Sequence, residues 1–179
     1  YRVALIGFGY WGPKLARNIN NSSNFKIKYI IDSSNKNLEK AKLDFPLTRL
    51  LKDHKYIKKN DIDLVVISSP TNTHYKIAKY FLDFCHVLVE KPMVTKTSDA
   101  LIINQMVEKT GKILMTPYGL NHTRYMEKAA DHIKNGSIGS VKHILLHMSS
   151  ALLDLFGGEP MLETENHFFR PSASTWSDP

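Results

Sequence analysis

Apolar residues along the chain fall into short unbroken runs separated by helical stripes. "VALI" at Val3–Ile6 ends against a glycine, and "DLVVIS" at Asp63–Ser68 is the clearest run of all. Unbroken apolar runs of this length predict strands covered on both faces, as in a parallel sheet. Phe25–Ile31, "HVLVE" at His86–Glu90 and "KILMTP" at Lys112–Pro117 predict three more. Behind Gly7–Gly12, Pro13 suits the first turn of a helix, where its missing N–H is not needed, and Leu15, Ala16 and Ile19 form the apolar stripe. Lys36–Phe45 has helical composition closed by Pro46, and Ile77, Ala78, Phe81 and Leu82 share a helical face within Thr73–Phe84. Thr97 or Ser98 can cap a further helix, expected to run to about Lys109 with Gly111 as its stop. The charged segment between Pro46 and Asp63 predicts no definite element.

Strands alternating with helices predict an α/β fold with a parallel, doubly wound sheet over the first 117 residues or so. The rhythm then changes. A helix is expected from about Thr123 to Lys134, and "VKHILLHMSS" at Val141–Ser150 predicts a long strand with partial alternation. The expected division is a first domain over 1–120 and the beginning of a second, α+β domain over 121–179.

The 179 residues are 42% apolar and 23% charged, an ordinary globular composition. No stretch approaches the roughly 18 consecutive apolar residues of a membrane span, and no basic segment leads into an apolar one at the start, so a cytoplasmic location is expected. Cys85 is the single cysteine, which excludes an intrachain disulfide, and its neighbours Phe81, Leu82 and Phe84 predict a buried, inert thiol. The formal charge of +7 comes from scattered lysines with a denser patch at Lys52–Asn60, a solvated face, and no nucleic-acid motif is present. Such a charge favours anionic ligands without saying which. The chain opens on Tyr1 and stops at "STWSDP", which predicts a piece of something longer whose second domain is incomplete and leaves Ile144–Met148 exposed.

Three constellations carry chemistry. Gly7-Phe8-Gly9-Tyr10-Trp11-Gly12 matches the G-x-G-x-x-G pattern of dinucleotide sites, in which the glycines make a tight turn, admit a pyrophosphate and let helix and strand pack. The phosphates then sit at a helix N-terminus. A structural glycine turn without ligand is the plainer alternative. Asp32 follows Gly12 by 20 residues, the range of the carboxylate that accepts hydrogen bonds from the adenosine ribose. That carboxylate repels a 2′-phosphate and no arginine follows it, which favours NAD, although Ser33, Ser34 and Lys36 leave room for NADP. "SSPTNTHYKIA" at Ser68–Ala78 follows the clearest strand, so Ser69, Pro70, Thr71, Asn72 and His74 are placed to line a cleft, or to serve only as loop and helix cap. "VEKPM" at Val89–Met93 puts Lys91 beside apolar Val87 and Val89, where partial burial would suit a general acid/base, with Glu90 as an acceptor. A surface lysine at a strand end is the plainer reading from residue physics alone. His143 and His147 lie four apart but lack a third ligand at a metal-site spacing, so no metal is expected.

Taken in order, "IGFGYWGPKLARN", "VVISSPTNTH", "VLVEKPM" and "TRYMEKAADHIKNGSIGSV" resemble the glucose-fructose oxidoreductase / inositol dehydrogenase / MocA family of sugar dehydrogenases. "GYWG" followed by proline and "RN" is similar to members that act on nucleotide-activated sugars in surface polysaccharide synthesis. The resemblance implies a Rossmann domain over 1–120 and a substrate domain after it. It implies Lys91 as the catalytic lysine in hydride transfer between a nicotinamide and a sugar carbon, with Glu90 and Pro92 by the nicotinamide riboside. Pro70, Asn72 and His74 would line the nicotinamide end, Tyr118, Asn121, Arg124 and Tyr125 would contact substrate, and the Lys91-Pro92 bond would be cis. It also implies a homo-oligomer at full length. Family members continue past a "W-x-D-P" like Trp176–Pro179 into residues that complete the catalytic set, so a binding module without catalysis stands as the alternative.

Overall fold

A computed structural model describes residues 1–146. Among these, a first compact unit covers Tyr1–Pro117 and a second begins at Tyr118. The first unit runs β1 (Arg2–Ile6), α1 (Gly12–Asn20), β2 (Lys26–Ile31), α2 (Asn35–Asp44), β3 (Arg49–Leu51), β4 (Leu64–Ile67), α3 (Thr71–Leu82), β5 (His86–Val89), α4 (Thr97–Thr110) and β6 (Leu114–Met115). All five pairings are parallel and the strand order is β3-β2-β1-β4-β5-β6, the doubly wound arrangement in which the order reverses between β1 and β4.

Alternation along the central strands explains the two helical layers, because successive side chains leave a strand on opposite faces. Ala4, Ile6, Val65, Ile67, Val87 and Val89 face one layer, where they pack with Ile77, Phe81 and Leu82 of α3 and Ile103 of α4. Val3, Leu5, Ile30 and Val66 face the other, against Ala16 of α1 and Ala41 of α2. Helix α4 ends where Gly111 adopts φ +64° and returns its N–H to the Val107 carbonyl, a left-handed stop that glycine takes at little cost.

Differences from the expected elements are local. The charged segment after Pro46 contains β3 and a 3₁₀ turn at His54–Tyr56. Asp53 accepts from the Lys55 N–H to start that turn. β6 is two residues rather than six, because only Leu114 and Met115 meet β5 in register. In the second unit α5 (Arg124–Lys134) lies where a helix is expected, but Val141–Leu146 forms no strand. A strand exists by its partner, and no described residue pairs with this segment, whose Ile144, Leu145 and Leu146 are exposed. Met148 and the remainder of the expected strand lie outside the described residues, as do His147 and Trp176–Pro179.

Candidate functional site

The carboxyl ends of β1, β2, β4 and β5 lie at one edge of the sheet, and the segments that follow them hold the cofactor and lysine candidates singled out above. At the reversal point the two central loops are in contact. Ser68 donates its hydroxyl to the Gly7 carbonyl at 2.8 Å, and the Gly7 N–H bonds the Ile31 carbonyl at 2.8 Å. Gly7 sits at φ +93°, and a Cβ there would lie 2.6 Å from the Ser68 and Ser69 backbone. A Cβ on Gly12 would collide with the Gly7 carbonyl oxygen. The fold therefore requires the first and third glycines. Gly9 differs: it is exposed, its φ lies outside the left-handed region, and an added Cβ would meet nothing within 4 Å. Among the described residues nothing demands glycine at position 9, whereas a phosphate brought against its backbone would. The α1 N-terminus beside it has no side-chain cap and no acidic residue in its first turn, so the helix's own residues leave its positive end without a compensating charge.

Asp32, just past β2, braces this loop. Its carboxylate accepts from the Phe8 N–H at 2.7 Å, the Asn37 amide at 3.0 Å and the Ser34 N–H at 2.8 Å. Two of these bonds fall on Oδ2 and one on Oδ1, and an ionised carboxylate has about four acceptor positions, so Oδ1 retains one for a ribose hydroxyl. Ser33 is exposed beside it. Asn37 was not singled out from the sequence; its signal is a polar amide in the first turn of the helix that follows Asp32.

Several expected roles change. Phe8 is buried and stacks edge-on with Phe45 at 6.0 Å, so it contributes its backbone while its ring belongs to the core. Tyr10 and Trp11 are exposed on the loop, and Lys14, a further residue missed in the sequence, sets its ammonium 3.5 Å from the Tyr10 ring centre and 4.4 Å from that of Trp11. Ser69 and Thr73 share a hydroxyl bond of 2.6 Å, and Thr73 donates to the Pro70 carbonyl, so the Ser69 hydroxyl supports the start of α3. Pro70 and Asn72 are exposed and Thr71 is half-buried. His74 does not line a cleft. It is 1% exposed, because position 74 falls on the inward face of α3 with Ile77 and Ala78, and its ring lies between two main-chain carbonyls.

At the end of β5 the Glu90 N–H bonds the Ile67 carbonyl at 2.9 Å, and the Glu90 carboxylate accepts from the Lys91 backbone N–H at 3.2 Å. The Lys91-Pro92 bond is cis, as the resemblance implies. Lys91 is exposed rather than half-buried, since the chain leaves the sheet after Val89 and carries the lysine past the apolar end of the strand. Tyr118, Asn121, Arg124 and Tyr125 belong to the second unit and are exposed there. Cys85 is buried, and burial pushes its thiol up to about 12, so it is inert at neutral pH. No group of three or more potential metal ligands occurs among the described residues. No described helix is long and apolar enough to cross a membrane.

Comparison with known proteins places these features in a family. The chain is 29% identical over 154 residues to myo-inositol 2-dehydrogenase of Thermotoga maritima, covering 80% of this chain and 43% of that protein. It is 30% identical over 115 residues to an uncharacterised oxidoreductase of Escherichia coli, covering 63% of this chain and 33% of that one. It thus spans less than half the length of either relative. The crystal structure of myo-inositol 2-dehydrogenase from Lactobacillus plantarum superposes with a TM-score of 0.71 at 22% identity, covering 78% of this chain and 42% of that one, which shows the fold alone. Residues 1–118 match the family model described as "Oxidoreductase family, NAD-binding Rossmann fold". With its open second glycine, its braced aspartate and its 3-2-1-4-5-6 sheet, the chain belongs to the Gfo/Idh/MocA family of NAD-binding oxidoreductases.

Proposed function

We propose that this chain carries the cofactor half of a dehydrogenase that transfers a hydride between NAD and a secondary alcohol of a sugar or nucleotide sugar, with Lys91 as general acid/base. One observation carries the proposal: the open glycine after β1 and Lys91 after β5 stand at the same edge of one sheet, two strands apart. At the usual strand spacing that separation is about 10 Å, so a ligand anchored at the glycines reaches the lysine.

The residues present fit a dinucleotide. Gly9 and the uncapped α1 N-terminus suit the pyrophosphate, and the remaining acceptor on Asp32 Oδ1 suits a ribose hydroxyl. That acceptor would face a 2′-phosphate unfavourably, which favours NAD over NADP. Pro70, Glu90 and Pro92 in the loops, with Thr71 and Asn72 in the first turn of α3, would face the nicotinamide end. A bound nicotinamide supplies the hydride acceptor. Lys91 Nζ, at the exposed end of β5, takes the proton of the substrate hydroxyl and returns it in the reverse direction. Tyr118, Asn121, Arg124 and Tyr125 are proposed substrate contacts, and "GYWG" is similar to members of the family active in surface polysaccharide synthesis. A homo-oligomer is proposed for the full-length protein, and the cytoplasm as its location.

A second proposal is a dinucleotide-binding module without turnover, favoured by the exposure of Lys91 at the end of β5. Formation of NADH followed by absorbance across a panel of inositols, sugars and nucleotide sugars separates the two. Turnover abolished by Lys91→Ala supports the dehydrogenase, whereas NADH binding without turnover on any alcohol supports the module.

A further inference from the structure

His74 is a buried polar side chain, 1% exposed. Its Nε2 lies 2.9 Å from the Ser69 carbonyl and its Nδ1 2.9 Å from the Pro92 carbonyl. These carbonyls belong to different loops. Ser69 lies in the β4–α3 loop, whose backbone stands against Gly7, and Pro92 follows Lys91 after β5. A ring that only filled space would leave both carbonyls without a donor from it, whereas an imidazole N–H satisfies at least one of them, and burying an unpaired polar group is costly. A neutral imidazole donates at one nitrogen, and an imidazolium at both.

At the corner after β5 the Glu90 N–H bonds the Ile67 carbonyl of β4, the Lys91 N–H turns back to the neighbouring Glu90 carboxylate, and Pro92 has no N–H to give. The His74 ring reaches this corner from α3.

We propose that His74 is a positioning residue: its ring clamps the Lys91-Pro92 corner to the loop beside the dinucleotide glycines, so that Lys91 is held in register with the bound cofactor. The clamp extends the dehydrogenase reading above and rests on it for its functional consequence. Asparagine carries its amide near the place of Nδ1 and glutamine near that of Nε2, so each variant places a donor at one end, while phenylalanine keeps a ring of similar shape and donates at neither.

The test compares the 179-residue chain with His74→Phe, His74→Asn and His74→Gln. Amide hydrogen exchange is followed at Lys91 and Met93, with Val66 of the core as reference, and NADH affinity is measured by fluorescence. His74→Phe is expected to speed exchange at Lys91 and Met93 about tenfold, the worth of one buried hydrogen bond, and to weaken NADH binding, with Val66 unchanged. His74→Asn, which keeps the donor towards Pro92, restores slow exchange at the corner, and His74→Gln does not. If His74→Phe matches wild type in both readouts, the clamp is wrong. If all three variants loosen Val66 together with the corner, His74 serves general packing and the inference is equally overturned. A wild-type chain that binds no NADH would instead defeat the dehydrogenase reading, and the exchange measurements would still decide whether the clamp exists.

Discussion

Replacing Gly9 by alanine separates what the fold needs from what the ligand needs. The added methyl points into open space and the backbone there is not left-handed. The folded state therefore tolerates it, and the stiffer unfolded chain makes the variant more stable by about 0.4–1 kcal/mol. Binding moves the opposite way. A phosphate seated on the Gly9 backbone must withdraw from the methyl and forfeit at least one charge-assisted hydrogen bond, about 1.5–3 kcal/mol, which is roughly a 10- to 150-fold rise in the NADH Kd. Gly12→Ala is the control. Its methyl collides with the Gly7 carbonyl oxygen, and such overpacking costs about 1–3 kcal/mol. Urea unfolding gives the stability change and NADH fluorescence the affinity. A Gly9→Ala variant that binds NADH as wild type does, or that loses stability as Gly12→Ala does, would refute the assignment of Gly9 to a ligand.

Asp32→Ala removes the acceptor for three N–H groups and should cost at least the about 1–3 kcal/mol of one orphaned buried donor; it should also weaken NADH more than NADPH, read by parallel titrations. Lys91→Ala in an active full-length protein should lower turnover by about 10²- to 10⁴-fold with little change in NADH affinity, because Lys91 is exposed and off the glycine loop; an active alanine variant would remove it from the chemistry. Asp63 accepts two hydrogen bonds from the Arg2 guanidinium and one from its backbone N–H, and these hold its carboxyl well below the ordinary range. A carboxyl lowered in the folded state contributes stability that is present above its unfolded value and lost as pH falls below about 4. Asp63→Asn should therefore flatten the fall in stability measured by urea unfolding below that pH. Cys85 should stay unmodified by a thiol reagent in the native chain and react fully once urea unfolds it.

The central strands were legible in the sequence because a strand buried on both faces needs an unbroken apolar run, as "VALI" and "DLVVIS" provide. The glycine loop and Asp32 were legible because spacing alone sets them after two strands. β3 was not, since a three-residue edge strand with an exposed Arg49 carries no such run. Burial within the site was the harder matter. Phe8 and His74 sit in motifs that suggest a cleft, and only the packing of Phe8 on Phe45 and the inward face of α3 assign them to the interior. The exposure of Lys91 likewise depends on where the chain leaves β5, which the apolar neighbours Val87 and Val89 do not reveal. Val141–Leu146 has the alternation of a strand, but alternation cannot supply the partner that a strand requires.

The central claim is that a dinucleotide sits against the second glycine, beside α1 and Asp32. Titrating NADH into isotopically labelled chain and following backbone amide shifts tests it most directly. The account predicts saturable binding with the largest shifts at Phe8–Gly12, Asp32–Ser34 and Ser69–Thr71. Saturation with shifts centred elsewhere, or no shifts with NADH at about 1 mM, the upper end of ordinary cofactor and substrate affinities, would contradict it.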